Sequence, residues 1–359
     1  MRYGASAFTI YNHMYLPTVF TGPVDEYWKL VNDVTLWDVA CQRQVEISGP
    51  DALAFVKYLI PRNLQSSEPG RCMYVLLTDE NGGIVNDAIL LHLSNEQLWL
   101  SPGDGDALLW VQGAALNSGF DVHVHEPDVS PLQVQGPKSP QVMKALFGDW
   151  ILEMGYYRMK ETMLDDIPVV VSQTGWSGEL GFEIYLRDHY QGDRLWEMIM
   201  SAGEPWNIAP TAPSTIRSIE GGLLSYVSDI TRDDNPYTLK FDRLADLDQE
   251  HDFIGKQALK RIQQQGPGRF LVGIEIPGEP IKGSNNEFWP VLSKGQEVGH
   301  ITRCIYSPRL EKNIGFANIE AGLEASGTEL MIEASNVNRP ALVCKWPWFP
   351  AQKMISPCR

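Results

Sequence analysis

Glu183 stands between Phe182 and Ile184 in the run GFEIYL, so on a strand its carboxylate points away from two apolar neighbours. An acid flanked in that way faces either solvent or a polar site, where one carboxylate can accept two adjacent donors. Asp87 follows Asn86 in GGIVNDAILL, and alternation along a strand turns these two to opposite sides, so only one can look into a given cavity. On residue grounds alone Asp87 reads as a strand-end acid satisfied by backbone donors. Arg217 and Glu220 lie three apart, the spacing of a pair on one helix face. Glu179, at the bend TGWSGEL, is expected to be exposed. Tyr156 and Tyr157 offer rings that either shelter a flat ligand or fill a core. The five cysteines (Cys41, Cys72, Cys304, Cys344 and Cys358) contain no close pair, which fits neither a zinc site nor a disulfide framework. None sits in a nucleophilic motif, so reduced, mostly buried thiols are expected.

The elements that would hold these residues follow from periodicity and punctuation. VDEYWKLVNDVTLWDVA, residues 24–40, places Tyr27, Leu30, Val31 and Val34 at helical spacing. QVEISG alternates as a strand, and Asp51 to Leu59 reads as a short helix with an acidic N-cap. Met73–Leu77 and Ile84–Leu93 read as two strands around DENGG, whose Asn-Gly favours a hairpin. LWLS is a third strand and Asp106–Ala115 a helix. LQVQG is a strand, followed by a helix beginning near Ser139. PVVVSQTGWSGELGFEIYL forms a second hairpin with TGWSG at its bend, and helices are expected over Asp193–Ala202, Thr215–Leu224 and IGKQALKRI. From Pro267 onward, short β-type runs alternate with Gly, Pro and Asn turns, the pattern of a separate β barrel.

A chain of 359 residues exceeds one compact core and suggests two or three domains. A formal charge of −16 with no basic stripe argues against nucleic acid or an anionic membrane as partner. The first residues lack a secretory signal pattern, and no window holds the roughly 18 apolar residues of a membrane helix. A cytoplasmic protein is expected.

Several of these runs resemble the aminomethyltransferase (glycine-cleavage T-protein) family. FIGKQAL followed by GQEVGHITRCIYSPRLEKNIGFANI is similar to its helix-then-barrel pattern, and GGIVNDAILL, LQVQGPKS, TGWSGELGFEIYL and IRSIEGGLLSYVSDIT match four more of its segments in order. The resemblance implies an α+β fold of three domains in a cloverleaf around a central cavity that holds tetrahydrofolate. Its two α+β domains would be residues 1–45 with 131–250, and an inserted 46–130; the C-terminal β barrel would be 267–359. The openings YNHMYLPTVF and WDVACQRQVEI, with ITRDDNPYTLKF, resemble the branch of the family that demethylates dimethylsulfoniopropionate.

What the resemblance implies for individual residues is specific. Asp87 would be catalytic, beside the reactive folate nitrogen, while Asn86 replaces the first acid of the family's pair. Glu183 would take paired hydrogen bonds from the pterin, with Tyr156 and Arg217 as further cofactor-binding residues. Tyr74, Trp176 and Tyr185 would line the substrate pocket, where aromatic faces attract an onium cation that has no hydrogen to donate. His13 either reaches the same cavity or is structural. The partners implied are tetrahydrofolate and a small onium substrate, no metal is expected, and a homodimer is left open. A glycine-cleavage aminomethyltransferase, a demethylase of another onium or methoxy compound, and a non-catalytic folate-binding protein remain alternatives.

Overall fold

The computed structural model describes residues 3–334 and 337–353, so Cys358 and the end of the expected 267–359 unit lie outside the described residues. Three sheets dominate. A six-stranded sheet joins Met159–Leu164, Ile167–Ser172, Gly181–Leu186, Ser130–Gln135, Val34–Asp38 and Ile208–Pro210 in that spatial order. A five-stranded sheet joins Arg71–Thr78, Ile84–Ser94, Gln97–Pro102, Val45–Ser48 and His123–His125. Six strands between Arg269 and Cys344 close into a barrel, which removes open sheet edges. The class is α+β with a C-terminal barrel, as the sequence pattern predicts.

Each sheet buries one face by strand alternation. Phe182, Ile184 and Leu186 pack with Val134 and Val171 against helices Ser139–Phe147 and Gly192–Gly203. The intervening Glu183 and Tyr185 therefore emerge on the other face. In the five-stranded sheet Val75, Leu77, Ala88 and Leu90 pack on helices Ala52–Leu59 and Ala107–Ala115. The two sheets meet through Cys72, Leu91, Trp99, Val170 and Tyr185.

Two expectations are corrected here. The helix expected to reach Val34 ends at Asn32, and Val34–Asp38 is a buried strand of the six-stranded sheet. Its β-branched and aromatic residues gain more by pairing with Ser130–Gln135 than by extending an amphipathic turn. Glu26 helps fix the helix start, accepting the N–H groups of Phe20, Thr21 and Gly22 at 2.8–3.0 Å. The helix from Thr215 is also shorter than expected and stops at Glu220. A hairpin of Ala7–Tyr11 and Met14–Val19, not anticipated from YNHM, turns through Asn12 and His13 at positive φ.

The barrel is fastened to the rest through buried charge. Asp229 accepts from Arg303 Nε at 2.7 Å and from Thr302 at 2.6 Å, while Arg303 also donates to Ser218 and to the Leu223 carbonyl. Glu220 gathers Tyr27, Ser307 and Arg309 at 2.6–2.9 Å. Among the described residues no helix is long and apolar enough to cross a membrane.

Candidate active site

Residues from all three parts line an open cavity of about 1580 Å³. Single drug-sized ligands occupy pockets of roughly 300–1,000 Å³, so this space suits an extended ligand together with a second, small one. Its wall takes Tyr11 from the first hairpin, Asp87 from the five-stranded sheet, Glu183 from the six-stranded sheet and Arg303 from the barrel.

Glu183 pairs in register with Gln133 on one side and Ser172 on the other, which concentrates polar groups on one face of the sheet. Gln133 Nε2 donates to Oε1 at 2.8 Å, and Thr174 and Tyr185 hydroxyls both donate to Oε2, the latter at 3.1 Å. Burial raises the carboxyl pKa above its ordinary value, and these three donors pull it back down. Two oxygens offer about four acceptor sites, so the position left for a ligand donor is on Oε1. The bend that follows Thr174 is held close by Gln135, whose side chain lies where a Cβ on Gly175 or Gly181 would fall. Larger residues at either glycine would displace the hairpin that carries Glu183.

Asp87 sits on the strand Ile84–Ser94, diagonal to Tyr74 across the ladder, and Tyr74 Oη donates to its Oδ2 at 2.9 Å. The other oxygen, Oδ1, is closed to solvent and has no hydrogen-bond partner among the described residues. Burial raises the Asp87 pKa to about 6, against the partial lowering by Tyr74. Asp87 lines the cavity, and a buried carboxylate oxygen without a donor is an acceptor waiting for one. Tyr11 and Tyr226 stand close by, and burial followed by the charge of Asp87 pushes both phenols up, Tyr226 to about 12.

Asn86 turns the opposite way, as alternation requires. Its amide accepts from Gly103 N–H and donates to the Asp104 carbonyl, both at 2.9 Å. Asn12, from the first hairpin, binds the same loop through the Gly103 carbonyl and Gly105 N–H. The asparagine that replaces an acid is thus a loop fastener behind the wall.

The remaining expected site residues divide. Tyr74, Tyr156 and Trp176 are on the cavity wall with Asp87 and Glu183. Tyr156 meets Tyr157 edge-on at 4.6 Å, and Trp176 is pinned by its indole N–H to the Leu224 carbonyl at 3.1 Å. Three others are corrected. Tyr185 is fully buried between the two sheets and contacts Trp99, so its ring face is closed to a substrate and its hydroxyl serves Glu183. Arg217 does not reach the wall: it is buried against Glu179 at 2.6 Å and the Gly178 carbonyl, because the bend folds over the short helix. Glu179 is accordingly buried, and the expected Arg217–Glu220 pair is replaced by two separate ion pairs. His13 is solvent-exposed at the hairpin turn, bonded to Asp106 at 3.0 Å.

Sequence reasoning missed Tyr11, Gln133, Thr174, Tyr226 and Arg303. Gln133 alone carried a signal, as a polar residue between Leu132 and Val134 in a buried strand. Arg303 holds its guanidinium 5.7 Å from the Trp176 ring, so one aromatic face is already occupied by a cation of the protein. Among the described residues no cluster of His, Cys, Asp and Glu could hold a metal, and Cys41, Cys72 and Cys304 are buried free thiols. Burial pushes all three well above the ordinary thiol range, which leaves them protonated and poorly nucleophilic.

Comparison with known proteins assigns both parts of the chain. Residues 1–249 match the GCVT N-terminal domain and 269–350 the glycine cleavage T-protein C-terminal barrel domain. A dimethylsulfoniopropionate demethylase, DmdA of Ruegeria pomeroyi, is 37% identical over 347 residues, covering 96% of this chain and 94% of its own. An aminomethyltransferase of Shouchella clausii is 32% identical over 348 residues, covering 94% and 92%. The crystal structure of aminomethyltransferase T from Bartonella henselae superposes with a TM-score of 0.87 over 98% of this chain and 96% of that one, at 21% identity, which speaks for the fold.

Proposed function

The chain belongs to the glycine-cleavage T-protein family, and from that membership we propose that it is a tetrahydrofolate-dependent methyltransferase that demethylates dimethylsulfoniopropionate. The products would be 3-methylthiopropionate and 5-methyltetrahydrofolate. Membership supports a folate-using one-carbon transfer enzyme; the identity of the donor is the finer part of the reading, supported by the 37% identity to a demethylase of that compound.

The observation that carries it is Asp87. Its unpartnered Oδ1 is the feature of the cavity that fits a reduced folate, whose ring presents N–H donors, and Glu183 Oε1 offers a second acceptor across the wall. When bound, tetrahydrofolate supplies a nucleophilic nitrogen as methyl acceptor. Tyr74 fixes the Asp87 rotamer, and Oδ1 accepts the proton that the acceptor nitrogen sheds as its bond to the methyl carbon forms. The donor's carbon–sulfur bond breaks with both electrons staying on sulfur, giving a neutral thioether, so no general acid is needed. Catalysis then rests on holding the two reactants in line. Ionised Asp87 also supplies a negative charge near a sulfonium, and Tyr11, Tyr74 and Trp176 present ring edges and faces to it.

The test is incubation of the protein with tetrahydrofolate and, in turn, dimethylsulfoniopropionate, a betaine, a methoxy compound and an aminomethyl-lipoyl carrier protein. Production of 5-methyltetrahydrofolate from the sulfonium is the expected outcome. Ammonia release from the lipoyl carrier would make this an aminomethyltransferase, the second reading, which the Shouchella clausii relative supports. Methyl transfer from the betaine alone would move the donor to a quaternary ammonium. The reading includes a cytoplasmic location and leaves a homodimer open, to be decided by light scattering.

A further inference from the structure

Gln42 stands on the cavity wall, in the short crossing between the strand Val34–Asp38 of the six-stranded sheet and the strand Val45–Ser48 of the five-stranded sheet. Its side-chain Oε1 is closed to solvent and has no hydrogen-bond partner among the described residues. The backbone around it is held from three sides. Gln42 N–H donates to the Val39 carbonyl at 2.8 Å, Gln44 Nε2 donates to the Gln42 carbonyl at 2.6 Å, and Asn12 Nδ2 donates to the neighbouring Cys41 carbonyl at 3.1 Å. Gln44 is itself fixed by a second bond to Ser101 Oγ at 3.1 Å, so both hydrogens of its amide are spent. The segment that carries the orphaned oxygen is thus fixed before any ligand arrives.

The surroundings are poor in donors and rich in negative charge. Asp87 Oδ1 is a second buried oxygen on this wall without a donor among the described residues. Asp38 and Asp104 both act on the Cys41 thiol, which burial and then these charges push up to about 12. Tyr11 is reached by the charges of Asp87, Cys41 and Asp104 together, which places its ring among them. Among the described residues no Lys or Arg pairs with Asp38, Asp87 or Asp104; their side chains take the Ala40 N–H, the Tyr74 hydroxyl and the Asn12 N–H. Burying an acceptor without a donor is costly, and the ligand that best offsets that cost in a negative corner is a cation. The charge on a sulfonium polarises the C–H bonds of its methyl groups, which then make C–H···O contacts with a carbonyl oxygen. An aromatic face attracts a cation with little direction, whereas a carbonyl oxygen adds a directed contact.

We propose that Gln42 is a specificity-determining residue of the donor site, its amide oxygen receiving the polarised methyl hydrogens of the onium centre alongside the charge of Asp87. The proposal rests on the demethylase reading above. It gives the preference for a cation a neutral, directed component that aromatic faces do not supply.

The experiment titrates the wild type, Gln42→Met and Gln42→Glu by calorimetry with dimethylsulfoniopropionate and with isocaproate, which keeps the carboxylate and both methyl groups but has carbon in place of the charged sulfur. Folic acid is present throughout, since its oxidised ring accepts no methyl group, and tetrahydrofolate is titrated separately. A C–H···O contact is worth roughly two- to fivefold in affinity. Gln42→Met, of similar length without the oxygen, should weaken sulfonium binding about fivefold and leave isocaproate within about twofold. Gln42→Glu keeps an oxygen and adds charge, so it should hold the sulfonium at least as tightly as the wild type while isocaproate binds more weakly. Tetrahydrofolate affinity should not change in either variant. Equal losses for the cation and isocaproate make Gln42 a packing residue and overturn the proposal, as does no change in either. Weaker tetrahydrofolate binding with unchanged sulfonium binding assigns the oxygen to the pterin and also overturns it. Should Gln42→Met fail to fold, a Gln42→Glu variant that loses sulfonium affinity overturns the proposal by itself. A wild type that binds tetrahydrofolate but no sulfonium sinks the donor reading together with this assignment, whereas sulfonium binding indifferent to residue 42 sinks the assignment alone.

Discussion

Asp87 carries opposite demands on its charge. With its pKa raised to about 6 from an ordinary 3.8, the native state binds the proton more tightly than the unfolded chain does. The stabilisation from the protonated form is complete below about pH 3.8 and is lost as pH rises through about 6. On the proposed mechanism turnover needs the ionised form, so kcat/KM should rise through about pH 6 and level off above it. Asp87→Asn removes both effects: we expect turnover to fall at least about 100-fold, with thermal stability at pH 8 raised by about 1–2 kcal/mol and unchanged near pH 4. A variant with normal turnover would remove Asp87 from the chemistry, and one that melts earlier at pH 8 would show that the ionised carboxylate does not destabilise the fold. Glu183→Gln presents an amide to a ligand donor, and folate affinity should drop roughly tenfold in a titration. The polar face of Glu183 was legible because alternation turns it away from apolar neighbours, whereas Asp87 read on residue grounds as a strand-end acid and only the family resemblance singled it out. Tyr185 was expected in the substrate pocket from the resemblance; alternation puts it on the face of Glu183 but says nothing of the second sheet that covers it.

Loops and strand ends were the least legible elements. The 103–105 loop has few apolar residues to place it, yet Asn86 and Asn12 hold it by four hydrogen bonds of 2.7–3.2 Å. Asn86→Ala leaves the Gly103 N–H and the Asp104 carbonyl without their side-chain partner, and should cost about 1–3 kcal/mol in urea unfolding. Asn12→Ala should couple to it in a double-mutant cycle, and strict additivity would mean that the two asparagines act on separate structures. Glu179 shows the limit of reading a bend from its turn residues. Ser-Gly-Glu reads as exposed, but Arg217 comes from a helix 38 residues away, and only its approach makes the acid a buried partner. Val34–Asp38 was lost to helical spacing because strand pairing with Ser130–Gln135 spans about a hundred residues and leaves no local trace.

At the scale of the molecule, the barrel period was visible in the sequence, while the joint that seats the barrel was not, since it is built from single charged residues on three segments. Arg303→Met would leave Asp229 buried with its Thr302 and Ser225 N–H bonds but no cation, a change that costs about 3–5 kcal/mol when a buried pair loses one partner. It should also free the barrel to unfold separately, seen as two transitions by calorimetry or as cleavage by protease between residues 245 and 268; a single cooperative transition at the wild-type temperature would show that the joint is held by other contacts. The cavity itself draws on Tyr11 near one end of the sequence and Arg303 far along it. During synthesis, N-terminal end first, Asp87 and Glu183 therefore leave the ribosome long before the barrel side of the cavity wall. A nascent chain halted before the barrel would keep Tyr74 on Asp87 but lack the Arg303 side of the wall, and tetrahydrofolate added at that stage would find an incomplete place to bind. Ligand capture becomes a time stamp for the completed chain, and a folate-dependent change in nascent-chain protection should switch on only after the strand bearing Arg303 has cleared the exit tunnel.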